Sequence, residues 1–135
     1  SGNRDLASMA EQQVRYAAYD GRLADLGSGL PASLVPLVSD SWTRTFTWRG
    51  EGPMPQSERR KLRDIVARAH RSGRRVRFWG TSDLPASART NIREEGLAAG
   101  VDYLETDGLT ELRRDLLAAD KTPSTPLVAW QGAGD

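Results

Sequence analysis

Residues 55–83 read PQSERRKLRDIVARAHRSGRRVRFWGTSD, in which a helical pattern runs through one glycine into a short strand pattern. In the first part apolar residues recur at helical spacing and charged residues fill the positions between them, which predicts an amphipathic helix. The apolar positions are Leu62, Ile65, Val66 and Ala69. We expect Ser57 to cap the start of this helix and Gly73 to end it.

The strand pattern that follows alternates between two faces. Val76 and Phe78 fall on one face, whereas Arg77 and Trp79 fall on the other. Arginine and tryptophan at the carboxyl end of a strand that follows a helix occupy the place where α/β folds put ligand-contacting groups. The same pair is also typical of an interface arginine stacked on a tryptophan, and the sequence leaves both interpretations open.

Length and composition bound the class of protein. With 135 residues and 38% hydrophobic content, the chain is the size of one domain with a real core. The net charge is +1 and the arginines alternate with acids, so we expect no nucleic-acid partner. The absence of cysteine excludes disulfides and thiolate metal sites. No apolar run reaches the roughly 18 residues of a membrane span, and localisation stays open between secreted and cytoplasmic.

Strand and helix patterns alternate along the chain, which predicts a parallel sheet with right-handed crossovers. The predicted strands cover residues 15–21, 34–40, 76–79 and 101–107. Four strands with about four helices are half of an eight-fold βα barrel, which needs roughly 250 residues. We therefore predict an α/β fold in which residues 1–120 form a half-barrel of parallel strands, neighbours in chain order, and residues 121–135 a docked tail.

The segment between the second strand and the central helix is unusually aromatic. Residues 41–54 read SWTRTFTWRGEGPM and carry Trp42, Phe46 and Trp48 without a helical period. Loops that face solvent seldom carry so much apolar surface. We expect this segment to pack over the barrel mouth, another subunit or a ligand.

An ordered series of motifs resembles the C-terminal half of PLC-like phosphodiesterases. The motifs are SGNR, YDGRLADL, PLVSDSW, F-x-W-x-G-x-G-P-M-P, L-x-x-I-V-x-x-A-H-x-x-G-R-x-V-R-F-W and A-G-V-D-Y-L-x-T-D-x-L. This TIM-barrel superfamily includes glycerophosphodiester phosphodiesterases and phosphatidylinositol phospholipases C. The series is most similar to the group named altered inheritance of mitochondria protein 6, and it spans Ser1 to about Leu117. It departs from the family at Ile92-Arg93-Glu94-Glu95, where an aromatic residue is usual.

The resemblance implies a phosphoric diester hydrolase of lipid metabolism. Its catalytic histidine and the carboxylates that bind a divalent cation, Mg or Ca, are expected in an N-terminal half whose motifs this chain lacks. The chain alone is therefore expected to be inactive. In the complete barrel it would form the substrate side, with Trp79 against the alcohol moiety, Arg77 near the phosphate, and Asp40 and Asp107 at the mouth.

Two further sites are weaker candidates. Glu105 and Asp107 have the spacing that places two carboxylates on one strand face, which could bind a hard cation, although a polar lining role for Asp107 is favoured. His70, the only histidine, lies near the predicted end of a helix, where a structural role is favoured over acid–base chemistry.

Three interpretations remain open. The first is the substrate-side half of a hydrolase acting on a glycerophosphodiester or phosphoinositide-type small molecule. The second is a non-catalytic half-barrel that serves as a binding or assembly module, and the third is a small flavodoxin-like domain that binds a ligand at its strand ends. Because a half-barrel has unpaired edges, the first two predict a partner, either the missing N-terminal half or a second copy.

Overall fold

The computed structural model describes residues 5–13, 17–105 and 109–119. The chain divides into two compact units, Ser1–Glu105 and Thr106–Asp135. The first unit contains the sheet, and the second contains one described helix. Asp107 and the predicted tail, residues 121–135, lie outside the described residues.

The first unit is built on a four-stranded parallel sheet. Its strands are neighbours in chain order, β1-β2-β3-β4, which confirms the predicted α/β class and the predicted order. The strands are β1 Asp20–Gly21, β2 Leu37–Ser41, β3 Arg75–Trp79 and β4 Tyr103–Leu104. The two outer strands are shorter than their sequence patterns predict.

The helices are α1 Leu6–Glu11, α2 Trp42–Thr45, α3 Gln56–Arg71, α4 Ala86–Ala99 and α5 Leu109–Ala119, with a 3-10 turn at Leu23–Asp25. In the described part of the chain, no helix is long and apolar enough to cross a membrane.

The ends of α3 test the predicted caps. The helix begins at Gln56, with Pro55 in the capping position at φ −55° and no side-chain cap. The prediction that Ser57 caps this helix is wrong, because the restricted φ of proline already suits helix entry and leaves residue 57 inside the first turn. Gly73 follows the C-cap Ser72 with φ +72°, so the predicted stop at Gly73 is confirmed.

Proline determines where β2 begins. The strand was predicted over residues 34–40, but it starts after Pro36, whose carbonyl accepts a hydrogen bond from the Arg75 amide at 2.8 Å. Proline has no amide hydrogen for the ladder and is suited to the residue just before a strand. Leu34 and Val35 instead form a turn in which both amides donate to the carbonyl of Pro31 at 3.0 Å.

The apolar core lies on one face of the sheet. Val38, Val76 and Phe78 are buried on neighbouring strands, and the predicted stripe of α3 is buried in the same core. Arg77, between two of these residues in β3, is exposed. The predicted alternation of β3 and the predicted buried face of α3 are therefore both confirmed.

The aromatic segment belongs to this core. Trp42, Phe46 and Trp48 are 0%, 2% and 8% exposed. The rings of Trp42 and Phe46 each lie 5.5 Å from the ring of Phe78, and the indole nitrogen of Trp42 donates to the carbonyl of Trp48 at 3.1 Å. The expectation that these residues cover a barrel mouth, another subunit or a ligand is wrong, because α2 turns their rings onto the apolar face of the sheet.

Candidate functional site

The candidate site lies on the other face of the sheet, which we call the polar face and define by Ser39, Arg77, Trp79 and Tyr103. Ser39, Arg77 and Tyr103 lie side by side on β2, β3 and β4. Arg77 is exposed and Tyr103 is 43% exposed. Parallel sheets are usually covered on both faces, so a polar face left exposed at β3 and β4 is the most unusual surface of the first unit.

A hydrogen-bond network orders the polar face beside β1. The Ser39 hydroxyl, which is fully buried, donates to Asp20 Oδ1 at 2.7 Å. Arg22 Nη1 lies 3.3 Å from Ser39 Oγ and 3.6 Å from Asp20 Oδ2. The network holds the guanidinium of Arg22 at the carboxyl end of β1, where it is paired with the Asp20 carboxylate. Arg22 was not predicted as a site residue, although its Asp-Gly-Arg turn at a strand end is a signal for one.

Arg77 and Trp79 share a face as predicted, but they do not stack on each other. The guanidinium carbon of Arg44, from α2, lies 5.5 Å from the centroid of the Trp79 ring, a cation–π contact. Within the described residues the Arg77 side chain has no carboxylate partner. The arginine that stacks on Trp79 is thus Arg44, and not Arg77 as one of the two interpretations of the Arg77 and Trp79 pair required. Arg77 is left exposed.

The predicted carboxylates occupy different positions. Asp40 lies in register with Phe78 on the apolar face, and its Oδ1 accepts the Ser41 amide at 2.9 Å, so strand alternation separates it from Arg77. Glu105 Oε2 accepts the amides of Gly80 at 2.7 Å and Thr81 at 3.4 Å.

The described ranges contain no group of three His, Cys, Asp or Glu side chains that could hold a metal ion. Asp107 lies outside those ranges. The Glu105 and Asp107 pair and the divalent cation of the complete barrel therefore stay predictions.

His70 lies at the other end of the strands, near their amino-terminal ends. Its Nε2 is 2.8 Å from Asp102 Oδ2, which also accepts the Val76 amide at 2.8 Å. These residues connect the end of α3 to the amino-terminal ends of β3 and β4. The geometry supports a structural role for His70.

A carboxylate fixes the aromatic segment against α3. Glu58 accepts the amide and hydroxyl of Thr47, both at 2.7 Å, and the amide of Trp48 at 2.9 Å. Partial burial acts to raise the pKa of Glu58, but these hydrogen bonds and the nearby Lys61 outweigh it, so the net pKa is lowered. The charged form of Glu58 therefore stabilises the layer that supports Phe78.

The chain is homologous, at low identity, to proteins named Altered inheritance of mitochondria protein 6. The protein of that name from Eremothecium gossypii is 33% identical over an alignment of 106 residues that covers 70% of this chain and 27% of that protein. The one from Zygosaccharomyces rouxii is 32% identical over 60 residues, 44% of this chain and 15% of that protein. The chain thus spans about a quarter or less of these relatives. No family model matches it, and no solved structure is significantly similar.

Proposed function

We propose that the chain is the substrate-side half of a PLC-like phosphoric diester hydrolase, built as half of a TIM barrel. The observation that carries this proposal is the exposed polar face of a parallel sheet whose strands follow chain order. Strands of a βα barrel succeed one another in chain order, and their inward side chains are uncovered when half of the ring is missing.

The strand order also separates this proposal from the flavodoxin-like alternative. Doubly wound sheets reverse their strand order at a switch point, bind ligands there, and carry helices on both faces. The order β1-β2-β3-β4 has no reversal. The half-barrel is therefore the better supported of the two architectures.

The polar face supplies groups suited to a phosphodiester. Arg77 would bind the phosphate, since guanidinium groups form charge-assisted hydrogen bonds with phosphate oxygens. Arg22, held by Ser39 and Asp20, would be a second cation at the same edge. Trp79, half-buried under Arg44, would pack against the alcohol moiety.

The remaining chemistry would come from outside this chain. A catalytic histidine and a divalent cation would belong to the N-terminal half. His70 is hydrogen-bonded to Asp102 near the amino-terminal ends of the strands, whereas the proposed site lies toward their carboxyl ends. On this proposal the chain alone has no hydrolase activity. The N-terminal half would pair with the outer strands β1 and β4 and cover the polar face.

A second copy could cover the same edges, which is the assembly-module alternative. Analytical ultracentrifugation at micromolar concentration separates the two partners. A stable dimer supports self-assembly, whereas a monomer that binds a separately expressed N-terminal half supports the hydrolase.

Binding of a glycerophosphodiester tests the proposed site directly. Isothermal titration with glycerophosphocholine or glycerophosphoinositol should give saturable binding to the chain. Arg77→Ala should weaken binding at least about tenfold, the loss of one charge-assisted hydrogen bond of about 1.5 kcal/mol. Arg71→Ala removes the same charge from an exposed position in the last turn of α3 and should change nothing. A folded chain that binds neither diester, or equal affinities for wild type and Arg77→Ala, would contradict the proposal.

A further inference from the structure

Two consecutive backbone amides at the end of β3 point at one carboxylate oxygen. The amide of Gly80 donates to Glu105 Oε2 at 2.7 Å, and that of Thr81 donates to the same oxygen at 3.4 Å. Gly80 has φ +79°, a conformation that favours glycine. Successive amides that converge on one oxygen form the concavities in which proteins bind anions. Here the bound anion is a side chain of the protein itself.

The surroundings of these amides favour negative charge. Trp79, the last residue of β3, immediately precedes Gly80, Arg77 lies two residues earlier on the same strand, and Arg44 stacks on the Trp79 ring. Neither arginine has a carboxylate partner within the described residues. An oxyanion at the Gly80 amide would therefore lie next to the residue on which Arg44 stacks, and Arg77 is on the same strand, an observation independent of the amide geometry.

Glu105 is placed to leave these amides when another anion arrives. Continuing the register of β3 and β4 by one residue aligns Glu105 with Trp79, and the Glu105 side chain is exposed. An exposed carboxylate regains its hydration when it moves away, which offsets part of the cost of losing the two amide hydrogen bonds. While it stays, it satisfies two amides for which the described residues supply no other acceptor.

We propose that the amides of Gly80 and Thr81 form a subsite for a phosphate-type oxyanion, and that Glu105 occupies this subsite until the ligand displaces it. The assignment of the subsite to a substrate rests on the proposed function, whereas its capacity to bind an anion rests on the amide geometry. Glu105 is then a competitor of the ligand, and it lowers the affinity for anions at this edge of the sheet.

The test follows the two amides by NMR in the full chain labelled with nitrogen-15. Inorganic phosphate, glycerol phosphate and glycerophosphocholine are titrated separately into the wild type, Glu105→Gln and Glu105→Ala. In Glu105→Ala the Gly80 and Thr81 signals should shift saturably with phosphate, with a Kd at least about tenfold below that of the wild type. Glu105→Gln, which keeps the side-chain size and offers a neutral acceptor, should fall between the two.

Glu94→Ala controls for the general change in charge, because this variant also removes one carboxylate, from an exposed position on α4. The absence of a saturable shift in a folded Glu105→Ala chain would overturn the proposal, as would an equal gain in Glu94→Ala. If Glu105→Ala does not fold, the carboxyl carbon-13 signal of Glu105 in the wild type decides. Displacement by phosphate predicts that it shifts together with the Gly80 amide, and an unchanged signal at saturating phosphate refutes it.

Failure of the subsite and failure of the proposed function give different results. Amide shifts with inorganic phosphate but no diester binding that depends on Arg77 would keep the subsite and reject the hydrolase. Diester binding that depends on Arg77 but is unchanged in Glu105→Ala would keep the hydrolase and reject the subsite. A preference for the diester over inorganic phosphate assigns the subsite to the substrate, whereas equal affinity assigns it to free phosphate.

Discussion

The two faces of β3 differ sharply although their residues alternate along five positions of chain. Val76 and Phe78 are 0% and 3% exposed and contact the helical layer, whereas Arg77 between them is exposed. The apolar face contributes stability, whereas the polar face carries Arg77, which has no carboxylate partner within the described residues. The comparison predicts that substitutions on the two faces of this one strand separate stability from the proposed ligand binding.

The largest expected effect is on the apolar face. Phe78→Ala removes the ring that the rings of Trp42 and Phe46 both contact at 5.5 Å, so it leaves a cavity at the centre of the aromatic layer. We expect the free energy of unfolding to fall by about 3–5 kcal/mol, measured by urea denaturation. A loss below about 1 kcal/mol would mean that the aromatic segment is not part of the core.

The second prediction concerns how the aromatic segment is held on α4. Gly50 has φ +86°, and a Cβ placed there would lie 2.2 Å from the carbonyl oxygen of Ala88. Gly50→Ala therefore forces the loop away from the helix, and we expect a loss of more than about 2 kcal/mol in thermal unfolding experiments. Gly52→Ala is the matched control, because Gly52 also has a positive φ, +62°, but has no neighbour within 4 Å of the added atom. Equal losses in the two variants would show that the contact with Ala88 is unimportant.

The third prediction is a pH dependence at Glu58. Because its folded-state pKa is lowered, the stability that Glu58 contributes is present above the unfolded value of about 4.3 and is lost as pH falls through the folded pKa. Glu58→Gln should cost about 1 kcal/mol near neutral pH, and the difference from wild type should vanish in acid. Glu51→Gln, at an exposed position on the same loop, is the control for the loss of one carboxylate. A difference that persists unchanged in acid would contradict the role of the charge.

The smallest effect on stability is expected on the polar face. Arg77→Ala should change the free energy of unfolding by less than about 0.5 kcal/mol while it weakens ligand binding. Arg74→Ala sharpens the comparison, since Arg74 lies just before the same strand but is buried and donates to the carbonyl of Leu30. We expect Arg74→Ala to cost more than about 1 kcal/mol, measured by urea denaturation. A similar cost at both positions would mean that Arg77 also has a structural partner.

The resemblance and the strand pattern predicted part of the candidate site. Arg77 and Trp79 share a face because alternation follows from the backbone of any strand. The roles of Arg22 and Arg44 were missed because they depend on which strand ends and helices become neighbours. Asp40 was predicted at the mouth in the same site as Arg77, but the register of β2 with β3 pairs it with Phe78.

The sequence by itself determined the local elements of this protein. The apolar stripe of α3, the stop at Gly73 and the two faces of β3 all follow from periodicity and from the conformational freedom of single residues. The tertiary structure alone decided that the aromatic segment packs on Phe78, and that Glu105 fills the amides of Gly80 and Thr81. These contacts join residues 24 or more positions apart, and the sequence pattern of either partner carries no information about which distant group lies opposite it.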